Sequence, residues 1–308
     1  MLDRIGLGLA ALGRPAYINL GRQGALPEVR TVPAMRAASW KVLDEAYAAG
    51  VRWVDAARSY GRAEEFLAGW LTDRGHEDVV VSSKWGYAYV ADWRPDAEVH
   101  EVKQHSLDRF EQQWAQSEEL LGDRLAVYQV HSLTLDSPLF NDPLLLESLA
   151  GLIEQGVRVG FSTSGPQQAD TIRRAMALRV QGRPLFSVVQ STWNLLDPSA
   201  GPALAEAYEA GAHVLVKEAL ANGRLAVDPP ADLLAMAEDA GVGCDALALA
   251  AALAQPWAGT VLLGAASPAQ VRANLAALHV RLPPYERLAA LAVPARRYWA
   301  ERSALAWN

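Results

Sequence analysis

The chain has 308 residues, 51% hydrophobic and 20% charged, and its 28 basic against 35 acidic side chains give a net charge of −7. That balance excludes a disordered chain and a general nucleic-acid field, and the one cysteine, Cys244, excludes an internal disulfide. The length suits two ordinary domains or one α/β barrel, which takes about 250 residues plus insertions.

Arg4 before the apolar run Ile5 to Leu12 imitates a signal peptide, but Gly6 and Gly8 interrupt the run and no clear cleavage site follows. Ile5 to Ala10 is therefore expected as a strand, followed by a long loop, Ala11 to Pro33, of functional length. Trp40, Leu43 and Tyr47 recur at helical spacing up to Gly50. Val51, Trp53 and Val54 form a short strand that delivers Asp55 at its end, with Tyr60 just beyond. A helix with Phe66, Leu67, Trp70 and Leu71 follows, and then Val79 to Ser83 is a strand ending at Lys84. The loop after it is crowded by Trp85, Tyr87, Tyr89 and Trp93.

A helix is expected from about Val99 to Leu121, then a strand Leu125 to Val130 ending at His131, and a helix Leu144 to Gln155. Val157 to Phe161 leads to Ser162 and Thr163, Ala169 to Val180 reads as helical, and Phe186 to Val189 ends at Gln190. Ala203 to Ala210 is helical, and His213 to Val216 ends at Lys217. Leu233 to Ala240 and Ala246 to Ala254 are helical, Thr260 to Leu263 ends at Gly264, and Pro268 to Leu278 is the last helix of the series. The most apolar stretch, Ala246 to Ala266, is broken by Gln255, Pro256 and Gly259, so no membrane span is expected. Eight alternating units predict a (β/α)8 barrel over residues 1–308, with a tail from about Pro283, carrying Tyr298, Trp299 and Trp307, packed over it.

In such a barrel the carboxyl ends of the strands build the site. They deliver Asp55, Lys84, His131, Ser162, Thr163, Gln190 and Lys217, with Tyr60 beside Asp55. The same test sets the other histidines aside: His213 begins its strand, and His76, His100, His105 and His279 lie on helices or near their ends. Asp55 and Lys84 also make sense as a buried ion pair that closes the barrel. A phenol, an ammonium, a carboxylate and an imidazole together suit carbonyl reduction. The tyrosine hands a proton to a developing alkoxide, a nearby lysine lowers its pKa, the carboxylate orients the lysine, and a neutral imidazole fixes the carbonyl oxygen. Hydride must come from a cofactor. No Gly-x-Gly-x-x-Gly with a following ribose-binding acid is present, so the barrel rim has to bind it.

Gly50 to Gly61 (Gly-Val-Arg-Trp-Val-Asp-Ala-Ala-Arg-Ser-Tyr-Gly), Lys84 after Val80-Val81-Ser82-Ser83, and Tyr128-Gln129-Val130-His131 resemble the aldo-keto reductases, and the resemblance covers nearly the whole chain. It implies that Asp55, Tyr60, Lys84 and His131 are the catalytic set. It also implies that Ser162 and Gln190 bond the nicotinamide amide, and that Gly264, Ser267, Gln270 and Asn274 serve the pyrophosphate and adenine side. Thr163 stands where the family often has asparagine, and Lys217 where it often has the ring that stacks on nicotinamide. Trp193 is a candidate replacement for that ring, and Lys217 a candidate for cofactor phosphate or for pairing with Glu218. Glu218 to Pro230 occupies the position of the loop that closes over the cofactor.

The resemblance makes NADP(H) the expected cofactor, with NAD(H) still open, and Arg272 is the one cation near the eighth strand for the extra phosphate. Trp85, Tyr87 and Trp93 are expected as a substrate wall. No metal site is expected, since no histidine-carboxylate cluster has ligand spacing. The partner is a small carbonyl or alcohol, with no nucleic acid and no membrane, in the cytoplasm. Two other readings stay open: a lysine Schiff-base aldolase using Lys84, and a regulatory subunit of the same fold that binds cofactor without significant turnover.

Overall fold

Short runs, each with at least one β-branched residue and bounded by turns, form the eight strands of the computed structural model, which describes residues 1–308. They are β1 (Ile5–Gly8), β2 (Trp53–Asp55), β3 (Val80–Trp85), β4 (Leu125–Leu133), β5 (Arg158–Thr163), β6 (Val188–Thr192), β7 (His213–Lys217) and β8 (Thr260–Leu263). Each pairs in parallel with the next, and β8 pairs with β1 through Ile5 opposite Val261, so the sheet closes into a barrel with no free edge. Outside lie α1 (Val32–Ala48), α2 (Ala63–Arg74), α3 (Leu107–Leu121), α4 (Pro143–Glu154), α5 (Gln168–Met176), α6 (Gly201–Glu209), α7 (Ala231–Ala240), α8 (Cys244–Leu253) and α9 (Pro268–Leu275). The architecture is a (β/α)8 barrel, and no helix is long and apolar enough to cross a membrane.

Strand periodicity of two sorts the barrel interior into floor and rim. On the floor, the Trp53 and His213 rings stack at 4.8 Å, His213 Nε2 lies 2.9 Å from Thr260 Oγ1, and Val127, Val188 and Leu215 fill the remaining space. Two and four residues further along the same strands come Asp55, Gln129, His131, Gln190, Thr192 and Lys217. The apolar floor thus sets the height at which polar side chains begin.

Two elements differ from the sequence reading. The helix expected from Val99 starts only at Leu107, where the Ser106 hydroxyl caps it by accepting from the Arg109 N–H at 3.4 Å. Glu101–Lys103 instead pairs antiparallel with Tyr87–Tyr89, which satisfies a segment rich in valine and tyrosine. The helix expected to reach Val180 stops at Met176, and Arg179–Val180 pairs with Arg183–Pro184. Its turn residues Gln181 and Gly182 have φ of 50° and 79°, the two positive values a tight hairpin requires.

The tail adds α10 (Tyr285–Ala289) and α11 (Ala295–Ser303). Tyr298 and Trp299 are buried, with the Tyr298 hydroxyl accepting from Asn194 Nδ2 at 2.9 Å and Trp299 Nε1 donating to Asp197 at 3.0 Å. Beyond α11, Trp307 stacks on His100 at 4.1 Å. The loop between β1 and α1 is held by Arg22, whose buried guanidinium donates to the carbonyls of Ala11, Pro15, Asn308 and Arg14. One cation thereby ties that loop to the end of the tail.

The same loop touches the turn carrying Tyr60. Arg62 N–H donates to the Gly13 carbonyl at 2.8 Å, and a Cβ on Gly13 would lie 2.2 Å from the Tyr60 carbonyl oxygen. The oxygen is backbone and a Cβ is fixed by its own backbone, so neither can swing aside. Gly13→Ala is expected to destabilise the protein by about 1–3 kcal/mol, read as a lower urea midpoint at unchanged slope.

Candidate active site

Lys84, with no exposed surface, lies under the rim. An ammonium has three hydrogens, and here they meet Asp55 Oδ2, the Ala56 carbonyl at 2.9 Å and the Tyr60 hydroxyl oxygen at 3.3 Å. Asp55 is held from the other side by Ser82 Oγ at 2.7 Å and by the side-chain amides of Gln129 and Gln190, each 3.1 Å from Oδ1. Four strands, β2, β3, β4 and β6, therefore contribute side chains to one buried network.

Since an ammonium can only donate, the Tyr60 oxygen accepts from Lys84 and the phenol's own hydrogen is free to point elsewhere. Burial pushes the Tyr60 pKa well above 10, Asp55 adds to the rise, and Arg14 opposes it. The expectation that the neighbouring lysine draws the phenol's pKa down is thus reversed in the isolated protein, where the Lys84 charge is matched by Asp55.

His131 sits beside this phenol, its ring edge-on to Tyr60 at 5.4 Å between centroids. The pairing of β4 with β5 slips between Val130 and Leu133, and Ser132 takes a φ of 51°, so the strand bulges where His131 must face the cavity. His105 supports the bulge: its Nε2 donates to the His131 carbonyl at 2.8 Å, while Nδ1 lies 2.8 Å from Ser137 Oγ. Burial lowers the His131 pKa well below 6.5, and the Lys84, Lys217 and Arg14 cations lower it further. The ring is neutral across the physiological range, with Ser59 Oγ 3.3 Å from its Nδ1.

These side chains border a cavity of about 420 Å³ on the rim. Asp55, Tyr60, His131 and Gln190 line one part of it, together with Tyr87, whose ring is 5.0 Å from His131. Arg14, Tyr17, Glu101 and Trp307 line it too; sequence reasoning passed over the first three and named Trp307 only as packing of the tail over the barrel. The Arg14 guanidinium lies 5.1 Å from the Tyr60 ring centre and pairs with Glu101 at 2.6 Å. Residues of the loop after β7, from Glu218 to Val227, form a strap across the opening, and Leu20 N–H donates to the Asn222 carbonyl at 2.9 Å. No group of three or more His, Cys, Asp or Glu side chains is arranged to hold a metal ion.

A family model described as "Aldo/keto reductase family" matches residues 4–290. The chain belongs to that family. Its members are oxidoreductases of carbonyl compounds, and that coarse activity comes with membership. Among solved structures, the holo form of an aldo-keto reductase from Bacillus halodurans is 21% identical, with a TM-score of 0.67 over 98% of this chain and 93% of the other. A Pseudomonas aeruginosa protein described as an aldo-keto reductase is 22% identical, with a TM-score of 0.63 over 89% and 88% of the two chains. At that identity the likeness concerns the fold. A search of curated proteins finds no match.

The further residues assigned by resemblance to aldo-keto reductases divide into two groups. Gln190, Lys217, Gly264, Gln270 and Asn274 line the cavity. Ser162 and Thr163 do not reach it: both are fully buried, Ser162 Oγ accepting from the Ser132 N–H at 2.8 Å and Thr163 Oγ1 donating to Ser191 Oγ at 2.9 Å. Ser267 is the cap of α9, accepting from the Gln270 N–H at 3.3 Å.

Arg272 points away, 61% exposed and bound to Glu45 of α1 at 2.7 Å. Gln270 and Asn274 are four residues apart on one face of α9, and Arg272, two from each, falls on the opposite face. Lys217 Nζ donates to Thr192 Oγ1 at 2.9 Å and sits 3.7 Å from Glu218. Burial lowers its pKa to about 8 although Glu218 opposes the fall. Burial alone would raise the Glu218 carboxyl, yet Arg302 and Lys217 hold it well below its ordinary value.

The substrate wall needs a larger correction. Of its three members only Tyr87 lines the cavity. Trp85 is wholly buried, its ring 5.1 Å from Phe110, and Trp93 donates its Nε1 hydrogen to the Arg30 carbonyl at 2.7 Å. The short antiparallel pairing after β3 turns these rings into the packing beneath the loop. Trp193 is likewise buried, edge-on to Trp257 at 5.9 Å, and replaces no stacking ring.

His105 and His213 share the His131 behaviour, burial lowering both from 6.5 to about 4. Below 6.5 the unfolded chain binds protons that the folded one refuses, so stability is lost as pH falls through the window from about 6.5 to about 4. The urea midpoint is expected to drop between about pH 7 and about pH 5, and a midpoint constant over that range would contradict neutral, buried rings.

Proposed function

We propose that the protein reduces an aldehyde or ketone to the alcohol, or runs the reverse oxidation, with NAD(P)H as hydride carrier and Tyr60 as proton donor. The observation that carries this reading is the hydrogen-bond direction at Tyr60: Lys84 occupies the oxygen, and the proton is left to the cavity beside a neutral His131. A carbonyl oxygen placed between the two rings would accept from the phenol, while the imidazole fixes its angle. Asp55 and Lys84 hold the phenol and do not react. Lys84 has all three hydrogens engaged and no surface on the cavity, which speaks against use as a Schiff-base nucleophile.

The cavity suits a dinucleotide in one further respect. Asn222 lines it, and its side-chain oxygen is buried without a partner, an acceptor that a hydroxyl or amide donor would satisfy. Gly264 lines it with nothing within 4 Å of where a Cβ would be, leaving room for close approach to the backbone. When bound, the dinucleotide supplies or takes up the hydride. Gln190, Lys217, Gly264, Gln270 and Asn274 would hold it, with Ser162, Thr163 and Ser267 bracing those positions from behind. Barrel and tail, 1–308 with the tail from about 283, act together in this reading, because Arg302 and Trp307 line the same cavity. A small carbonyl or alcohol substrate and a cytoplasmic location accompany it.

Tyr60→Phe removes a hydroxyl and with it one acceptor of Lys84, so the fold should survive at some cost in stability while cofactor affinity is kept. Carbonyl reduction should fall by 10² to 10⁴-fold, about 3 to 5 kcal/mol in barrier. Because the phenol's pKa lies well above 10, reduction by the wild type should not decline between neutral and mildly alkaline pH. Absorbance at the nicotinamide band over a panel of carbonyl compounds measures both, and a Tyr60→Phe protein turning over at the wild-type rate would sink the proposal.

A further inference from the structure

The end of the cavity bordered by α8 and α9 carries a carboxylate where the family resemblance led us to expect a cation. Asp245, in the first turn of α8, lines the cavity with Gln270 and Asn274. Asn274, 3% exposed, donates its Nδ2 hydrogen to Asp245 Oδ2 at 2.8 Å, which fixes the carboxylate at the cavity wall. Gln270 Oε1 accepts from the Ala266 N–H at 2.7 Å, so its amide nitrogen remains as a neutral donor.

No cation balances Asp245. Arg272 is turned to the outer surface by Glu45. The cations that do line the cavity are Arg14, Lys217 and Arg302, and their bonds go elsewhere. Arg14 pairs with Glu101, while Lys217 and Arg302 flank Glu218. None of the three bonds to a residue of α8 or α9.

A phosphate monoester brings roughly −1.5 to −2 charges at neutral pH, and three strong acceptors. Beside Asp245 it would meet a like charge, an acceptor facing acceptors, and only neutral amides to receive it. A ribose diol carries no charge and two hydroxyl donors, which is what a carboxylate can accept. We infer that this end of the cavity selects the dinucleotide with a free ribose 2′-hydroxyl, so that the protein uses NADH in preference to NADPH, with Asp245 the residue that discriminates. The inference rests on the nicotinamide-cofactor reading above and reverses the preference that the family resemblance implies.

Binding, measured by calorimetric titration without any carbonyl substrate, tests it. Wild-type protein should bind NADH at least about tenfold more tightly than NADPH. The fragments should follow: ADP should bind, and 2′,5′-ADP more weakly by a similar factor. Asp245→Asn keeps the shape and loses the charge, and should bring the two cofactor affinities together, mainly through a gain for NADPH. NADPH binding as tightly as NADH to the wild type would overturn the inference while leaving the cofactor reading intact. Binding of neither would remove both. Should Asp245→Asn fail to fold, the wild-type ratio and the two fragments still decide.

Discussion

An ammonium buried in the mouth of a barrel sets the conditions that the other side chains meet. Lys84 is out of contact with water, and an isolated charge there would cost several kcal/mol after all relaxation. The cost is bearable only if each hydrogen has an acceptor and the net charge is cancelled close by. Asp55 cancels it, the Ala56 carbonyl and Tyr60 oxygen complete the shell, and Ser82, Gln129 and Gln190 satisfy the carboxylate in turn. Such a pair is weak evidence for stability, since apolar residues of the same volume could do as well. Its presence at the buried mouth of the barrel argues for what it holds in place, a phenol with a directed proton.

The electrostatics around the pair explain why two neighbouring rings are both neutral. His131 faces the Lys84, Lys217 and Arg14 cations in a dry setting, and each makes a further positive charge more costly. Tyr60 faces Asp55 in the same dry setting, which makes a phenolate costly. Lys84 cannot rescue that phenolate, because its charge is already spent on Asp55. The site therefore rests with a protonated phenol and an uncharged imidazole, the forms in which a carbonyl oxygen can be both protonated and oriented.

The fold and the buried tetrad were legible because they depend on local signals. An apolar run fixes a strand, alternation fixes which residues face inward, and the strand's end fixes which of them reach the rim. Asp55, Lys84 and His131 follow from that sequence of steps. The cavity wall was not legible, because it is assembled from segments without periodicity. Arg14 and Tyr17 belong to a loop, Glu101 to a short hairpin, and Trp307 to the tail, and only the folded chain brings them beside Tyr60. Proximity in sequence misled in the opposite direction for Trp85 and Trp93, which adjoin Lys84 along the chain yet pack away from it. Arg272 was a different kind of error. Helical spacing already separates it from Gln270 and Asn274, and the face of α9 that meets the cavity could have been read from those two alone.

Floor and roof of the cavity are built to different standards, and the difference follows from what each must do. The floor is a closed ladder with a buried ionic network, where displacement of any member strands a charge or an unpaired donor. It holds the reacting groups to the tolerance that proton transfer needs. The roof is the loop between β1 and α1, the strap after β7 and the tail, segments distant in sequence that meet through two ion pairs, Glu218 with Arg302 and Arg224 with Glu301, and a few further bonds. Leu20 to Asn222 is one, the paired backbones of Tyr17 and Asn308 another, and Arg22 spans loop and tail. Regions joined by few bonds open at lower free energy than the sheet beneath them. Whatever the cavity takes up must pass this roof and later leave, so a roof as rigid as the floor would trade exchange for protection. With the strap pinned to the tail at Glu218 and Arg302 and meeting the loop after β1 at the Leu20 to Asn222 bond, that last seam can part without breaking the bonds that Lys84 makes below it.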